Sequence, residues 1–193
     1  MCEAYQYSPL PNTNTIRLIY LECGQSDESL RCQLKTATLG RLPPYEAISY
    51  TWDKPIFSHV LFVEGKSLAI TESLFGPLQR VRPKSLARTS FKFSVFLWAD
   101  AVCINQKDVD ERSQQVQLMR KIYENATRVV AWLGPSTDDT PRAWALMVKV
   151  LALEREEGFI STAPNGKWRL LDCKSPDWEA LSSLFKRPYF YTA

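Results

Sequence analysis

Residues Phe96 to Pro135 read FLWADAVCINQKDVDERSQQVQLMRKIYENATRVVAWLGP, and this stretch decides the fold. Val95 to Val102 is a short apolar run rich in strand formers and interrupted by one acid, Asp100. Such a run, bounded by polar residues, predicts a buried strand. Asp108 followed three residues later by Glu111 makes a capping-box pattern, so a helix starts there. Val116, Met119, Ile122, Tyr123 and Ala126 then recur at helical spacing and predict its buried face. Arg128 to Leu133 is a second strand, stopped by Gly134-Pro135. A strand–helix–strand unit of this length is a crossover, which predicts two parallel strands with a helix from about Val109 to Asn125 between them.

Working outward, Met1 to Asn14 is polar, holds prolines and reads as an arm. Thr15–Cys23 and Leu30–Leu39 alternate as strands, and the polar segment between them predicts a hairpin. That pair is expected outside the parallel core, as an N-terminal elaboration. Ala47–Trp52 is the first core strand. Val60–Val63 and Ser67–Ile70 flank Glu64-Gly65-Lys66 and predict a tight hairpin. Thr71 is a candidate cap for a helix over Glu72 to Arg82, with Leu74, Leu78 and Val81 inward. Arg80 to Lys92 is basic and aperiodic, and reads mostly as an exposed connector. Arg142–Glu157 is a helix with Trp144, Met147, Val148, Leu151 and Ala152 on one stripe, and Trp132 and Trp144 are core by position. Phe159–Ser175 is loop-like, and Pro176–Lys186 is a short amphipathic helix. The fold class is therefore α/β, a partly parallel sheet flanked by helices with an N-terminal β-hairpin.

The chain has 193 residues, 45% hydrophobic and 12% aromatic, with net charge +3. That is enough for one domain with a sizeable core, and too mild a charge to argue for nucleic acid. No apolar run reaches membrane-spanning length, because Asp100 and Lys149 break the two candidates. The N-terminus has no basic segment followed by an apolar core, so it is not read as a secretory signal. Five cysteines without Cys-x-x-Cys spacing, and the single His59, argue against zinc and for a reduced, cytoplasmic setting. Cys23, Cys32, Cys103 and Cys173 are expected to be free thiols.

The words LWADAVCINQ, DERSQQVQLMRKIY and VVAWLGP, together with YEAISYTWDKP at Tyr45 to Pro55, resemble the HET (heterokaryon incompatibility) domain of filamentous fungi. Ordered blocks over such a span are more specific than a lone motif. The resemblance implies a role in fungal non-self recognition, innate immunity and regulated cell death. It also implies a distant likeness to TIR domains, α/β signalling modules with a Rossmann-like core, some of which cleave NAD. On that reading residues 1–14 are an arm and 15–193 a single HET-like domain, C-terminally short relative to the family. Asp53 stands where the family's opening block usually has glycine. The chain reaches Arg187-Pro188-Tyr189-Phe190 but lacks the Gln-Glu pair that usually follows, so weak or no turnover is expected. NAD is the implied substrate, and no resident cofactor is expected. Other incompatibility or signalling proteins, or a second copy of the chain, are the implied partners.

In open parallel sheets ligands bind beyond the carboxyl ends of strands. The rim of such ends offers Ser49 and Trp52, then Asp100, Asn105 and Gln106, and the start of the following helix. Glu111 and Asp100 are the candidate catalytic acids, the carboxylates that would stabilise an oxocarbenium charge. Each also has a structural reading: Glu111 as half of the capping box, Asp100 as a buried acid holding backbone N–H groups or an arginine. Ser49, Trp52, Asn105, Gln106 and Arg112 are candidate ligand-binding residues. Trp52 would stack on a base and Arg112 would pair with a phosphate. Alternatively, Asn105 and Gln106 close the loop through side-chain-to-backbone bonds, and Trp52 packs at a strand end. A Cys103–His59 hydrolase is a third reading, against which Cys103 is a small buried core residue. The rival to all chemistry is a non-catalytic interaction module.

Overall fold

The computed structural model describes residues 2–52, 54–83, 96–157 and 175–192. Val95, the connector over 84–92, the loop from 159 to 174, Cys173 and Asp53 lie outside the described residues. The chain forms two compact units, Met1–Trp132 and Leu133–Ala193.

The first unit is built on one seven-stranded mixed sheet in the order β5-β4-β2-β1-β6-β3-β7. The strands are β1 (Thr15–Leu21), β2 (Leu30–Thr38), β3 (Tyr45–Ser49), β4 (His59–Val63), β5 (Lys66–Ile70), β6 (Phe96–Trp98) and β7 (Arg128–Ala131). β6 and β7 both run parallel to β3, which lies between them. The helix α3 (Val109–Asn125) connects the two. The crossover expected from the central stretch is present, and it spans one intervening strand.

Three expectations are corrected. The β1–β2 hairpin is no elaboration: β1 pairs antiparallel with both β2 and β6 and is the fourth of seven strands. Its burial on both sides follows, and Ile16, Leu18 and Ile19 are wholly buried. The apolar run before Asn105 is not all strand. β6 ends at Trp98, and Asp100–Cys103 forms a helical turn, α2. A short buried apolar run has no periodicity that separates strand from helix. The first core strand covers Tyr45–Ser49, so Tyr50 and Trp52 lie beyond it.

The β4–β5 hairpin turns at Glu64 and Gly65, with φ of 51° and 83°. Positive φ at both central residues is the twist-compatible hairpin turn, and Gly65 takes it without steric cost. α1 (Glu72–Val81) follows, with Leu74 and Leu78 wholly buried. Thr71 makes no capping bond; its hydroxyl meets that of Ser73 instead. Arg82, expected in an exposed connector, is buried. It donates to the carbonyl oxygens of Glu22, Gln25, Glu28 and Ser29, tying the β1–β2 turn to the end of α1.

α3 buries Glu111, Gln115 and Ile122, while Val116 is exposed. The buried stripe therefore begins with polar residues, because the first half of the helix lies on hydrogen-bonding partners. Gln115 Nε2 donates to Thr15 O at 2.9 Å. The N-terminal arm is tied down as well. Ser67 N donates to Glu3 O at 2.8 Å, Tyr5 N donates to Ser67 O at 2.9 Å, and the Tyr7 hydroxyl reaches Val102 O at 2.9 Å.

The second unit packs α4 (Thr140–Glu157) and α5 (Pro176–Phe185), followed by the short α6 (Tyr189–Thr192). Ala143, Ala180 and Leu184 form its buried centre. Of the apolar stripe expected on α4, Met147 packs against this centre, while Trp144, Val148 and Leu151 are exposed. Arg187 donates to Leu133 O at 3.1 Å, Pro135 O at 3.0 Å and Thr140 Oγ1 at 3.0 Å. It thereby clamps the turn after the Trp-Leu-Gly-Pro word.

Candidate functional site

The strand-end rim resolves into two clusters. In the first, α2 presents Asp100 to the segment leaving β3. Asp100 Oδ1 accepts from its neighbour Ala101 N at 2.7 Å and from the Tyr50 hydroxyl at 2.9 Å. Oδ2 accepts from Trp52 Nε1 at 3.0 Å. Gln106 Nε2 closes the loop on the Asp100 backbone oxygen at 2.9 Å. Burial raises the Asp100 pKa above the ordinary 3.8, and the bonds from Tyr50, Ala101 and Trp52 work against that rise. Burial and the adjacent carboxylate also push the Tyr50 hydroxyl up. The indole of Trp52 remains 56% exposed, and Ile56 and Phe57 on the same connection are exposed too.

The second cluster surrounds Glu111. Asp108 caps α3 as expected, its Oδ1 accepting from Asp110 N at 3.1 Å and Glu111 N at 3.0 Å. The reciprocal half of the capping box is absent, since Asp108 N donates to Asn105 O. The Glu111 carboxylate turns inward to Arg17, at 2.5 Å from Nη1 and 2.9 Å from Nη2, and Oε1 also accepts from Asn105 N at 2.7 Å. Side-chain exposures of 3% and 9% make this a buried, two-pronged ion pair. Arg17 further donates to Cys103 O and Ser8 O, and lies over the Tyr7 ring at 5.0 Å.

The remaining candidates divide between these clusters and the surface. Ser49 ends β3, and its carbonyl accepts from Trp132 N at 2.8 Å, continuing the β3–β7 ladder. Asn105 Oδ1 accepts from Lys107 N at 3.3 Å, which gives the side chain a loop-closing role. Arg112 points to solvent from the first turn of α3. Cys103 is wholly buried and burial raises its thiol pKa, whereas His59 bonds Glu72 and stacks on Phe75. Both are accounted for without each other, which removes the hydrolase pairing. Among the described residues no group of His, Cys, Asp and Glu is arranged to hold a metal.

The sequence reading missed Arg17, the partner of Glu111. A signal existed: it is the only charge within Thr15–Leu21, a strand whose other residues are apolar or hydroxyl-bearing. Buried on both faces, such a strand requires a carboxylate for its one cation.

Tyr50 and Trp52 come from YEAISYTWDKP and Asp100 from LWADAVCINQ, so these blocks meet on one carboxylate. A model of the heterokaryon incompatibility protein (HET) family matches residues 45–191. The chain belongs to the HET family. It is 36% identical over 149 residues to "Heterokaryon incompatibility protein 6, OR allele" of Neurospora crassa, an alignment covering 72% of this chain and 22% of that protein. The chain thus spans about a fifth of the length of this HET relative. No solved structure matches it. Among the described residues no helix is long and apolar enough to cross a membrane.

Proposed function

We propose that this HET-family chain acts in fungal heterokaryon incompatibility as a protein-association module whose working surface is the β3–β4 connection that leaves the rim at Trp52. The observation that carries the reading is the state of the two rim acids. Glu111 is consumed by Arg17 and Asn105 N, and Asp100 by Tyr50, Trp52 and Ala101 N. Neither carboxylate of these pairs is left unbonded for a substrate. The connection that leaves this rim for β4 exposes Trp52, Ile56 and Phe57 at 56%, 65% and 63%. Aromatic and large apolar groups concentrated on one connection suit a protein partner. The partner is a second copy of the chain or another incompatibility protein, and the cellular outcome is non-self recognition leading to cell death.

Sedimentation velocity of the wild type and of Ile56→Ser/Phe57→Ser tests this reading. Concentration-dependent association that the double variant weakens by about tenfold or more supports it. A chain monomeric at all concentrations, with no binding to a full-length family member, overturns it.

A second reading is TIR-like NAD cleavage at Asp100. Its support is the raised carboxyl pKa beside a half-exposed indole, which would stack on the nicotinamide while the carboxylate met the developing ribosyl cation. Release of nicotinamide by the wild type, lost in Asp100→Asn at equal folded fraction, would favour it.

A further inference from the structure

Away from the rim, a concavity of about 380 Å3 lies against β1, β2 and the start of β6. Its volume falls at the small end of the range for small-molecule sites. Strand register explains its floor. Leu18 faces Lys35 across the β1–β2 pair and Ile16 faces Ala37, while Phe96 faces Tyr20 across the β1–β6 pair. Leu18, Lys35, Ala37 and Phe96 therefore project from the same side of the sheet. The short side chain of Ala37 leaves a dent between its larger neighbours, and Pro11 and Pro43 wall it.

The charge of this concavity is one-sided. Lys35 and Arg41 line it from exposed positions, and no Asp or Glu is among its lining residues. Among the described residues neither cation takes part in an ion pair. An apolar floor and two uncompensated positive charges thus face one space. A bare inorganic anion would use the charges and leave the floor in water. A neutral apolar ring would do the reverse.

We propose that this concavity binds an organic anion with a flat apolar body, an aryl or acyl phosphate or carboxylate. Arg41 offers a planar fork to the anionic head and Lys35 a mobile point charge, while the body covers the half-buried Ala37 and Phe96. The site is independent of the rim, so its failure leaves the association reading untouched, and the converse holds.

Amide NMR titration of the full chain tests the proposal with three probes: phenyl phosphate, inorganic phosphate and benzyl alcohol. Phenyl phosphate should shift the Thr36, Ala37 and Thr38 amides saturably, at least about tenfold more tightly than either other probe. Lys35→Ala/Arg41→Ala should weaken that binding by about tenfold or more, and Lys35→Arg/Arg41→Lys should keep most of it. Both pairs are exposed, and unchanged spectra elsewhere verify their folding. Absence of a saturable shift, equal binding of inorganic phosphate, or undiminished binding by the alanine variant would overturn it.

Discussion

Glu111 was expected either to catalyse or to complete a capping box, and the reciprocal capping-box bond is absent. Its carboxylate neutralises Arg17 inside the protein. Breaking such a pair strands a buried charge, so Glu111→Gln should cost about 3–5 kcal/mol in urea unfolding. Replacing both partners, as Arg17→Met/Glu111→Leu, should cost much less than the two single changes added together. Asp100 carries a pH signature. Its folded pKa lies above the ordinary 3.8, so the native state holds a proton that the unfolded chain has already released. Its contribution is full below the unfolded pKa and is lost as pH rises through the raised folded value. The stability difference between wild type and Asp100→Asn should therefore shift against the wild type as pH rises through that acid window. A flat difference would contradict the burial-raised pKa. Cysteine chemistry is similarly graded by burial. Native alkylation without reductant should label the exposed Cys2 and spare Cys103 and Cys32, whose thiol pKa values burial raises, Cys32 to about 12. Mass spectrometry reads this directly. Asp100 and Glu111 stood out in the sequence because they are acids near strand ends. Their roles did not, because a carboxylate's role depends on which donor reaches it from 50 or 94 residues away.

Elements were most legible where local chemistry sets them. The Glu64-Gly65 turn, the Asp108 cap and α3 follow from turn residues, a capping side chain and length. Two changes test that locality. Asp108→Ala should cost about 0.5–2 kcal/mol, the usual cost of losing an N-cap. Gly65→Ala should cost about 1–2 kcal/mol through backbone strain alone, since its φ is 83° and an added Cβ meets nothing within 4 Å. Chemical denaturation of each variant gives these values, and a neutral Gly65→Ala would contradict the left-handed turn. On the apolar face read for α3, Ile122 is buried and Met119, Tyr123 and Ala126 pack against the core, but Val116 is exposed, because Glu111 and Gln115 take the buried positions of the first half. Hydrophobicity patterns assign polar residues to solvent and have no way to credit a buried bond to Arg17 or Thr15. The stripe on α4 held only in part: Ala143 and Leu146 are buried and Met147 packs against the buried centre, while Trp144 and Val148 are exposed.

At the scale of the whole molecule, the parallel relation of β6 and β7 could be read from strand, helix and strand in order, but strand order could not. The insertion of β1 beside β6 is a pairing between segments far apart in sequence, and alternation within Thr15–Leu21 is silent about its neighbours. Once inserted, β1 carries Arg17 beneath α3, and that placement commits Glu111 to architecture. The family words then describe joints of the fold: Tyr50 and Trp52 on Asp100, and Arg187 on Leu133 and Pro135. The central claim is that these acids build the rim and that the connection leaving it at Trp52 acts by association, not by cleaving NAD. Nicotinamide release by the wild-type chain, measured at concentrations where it self-associates, tests this most directly. No release above the spontaneous rate is expected. Sustained release that disappears in folded Asp100→Asn would contradict it.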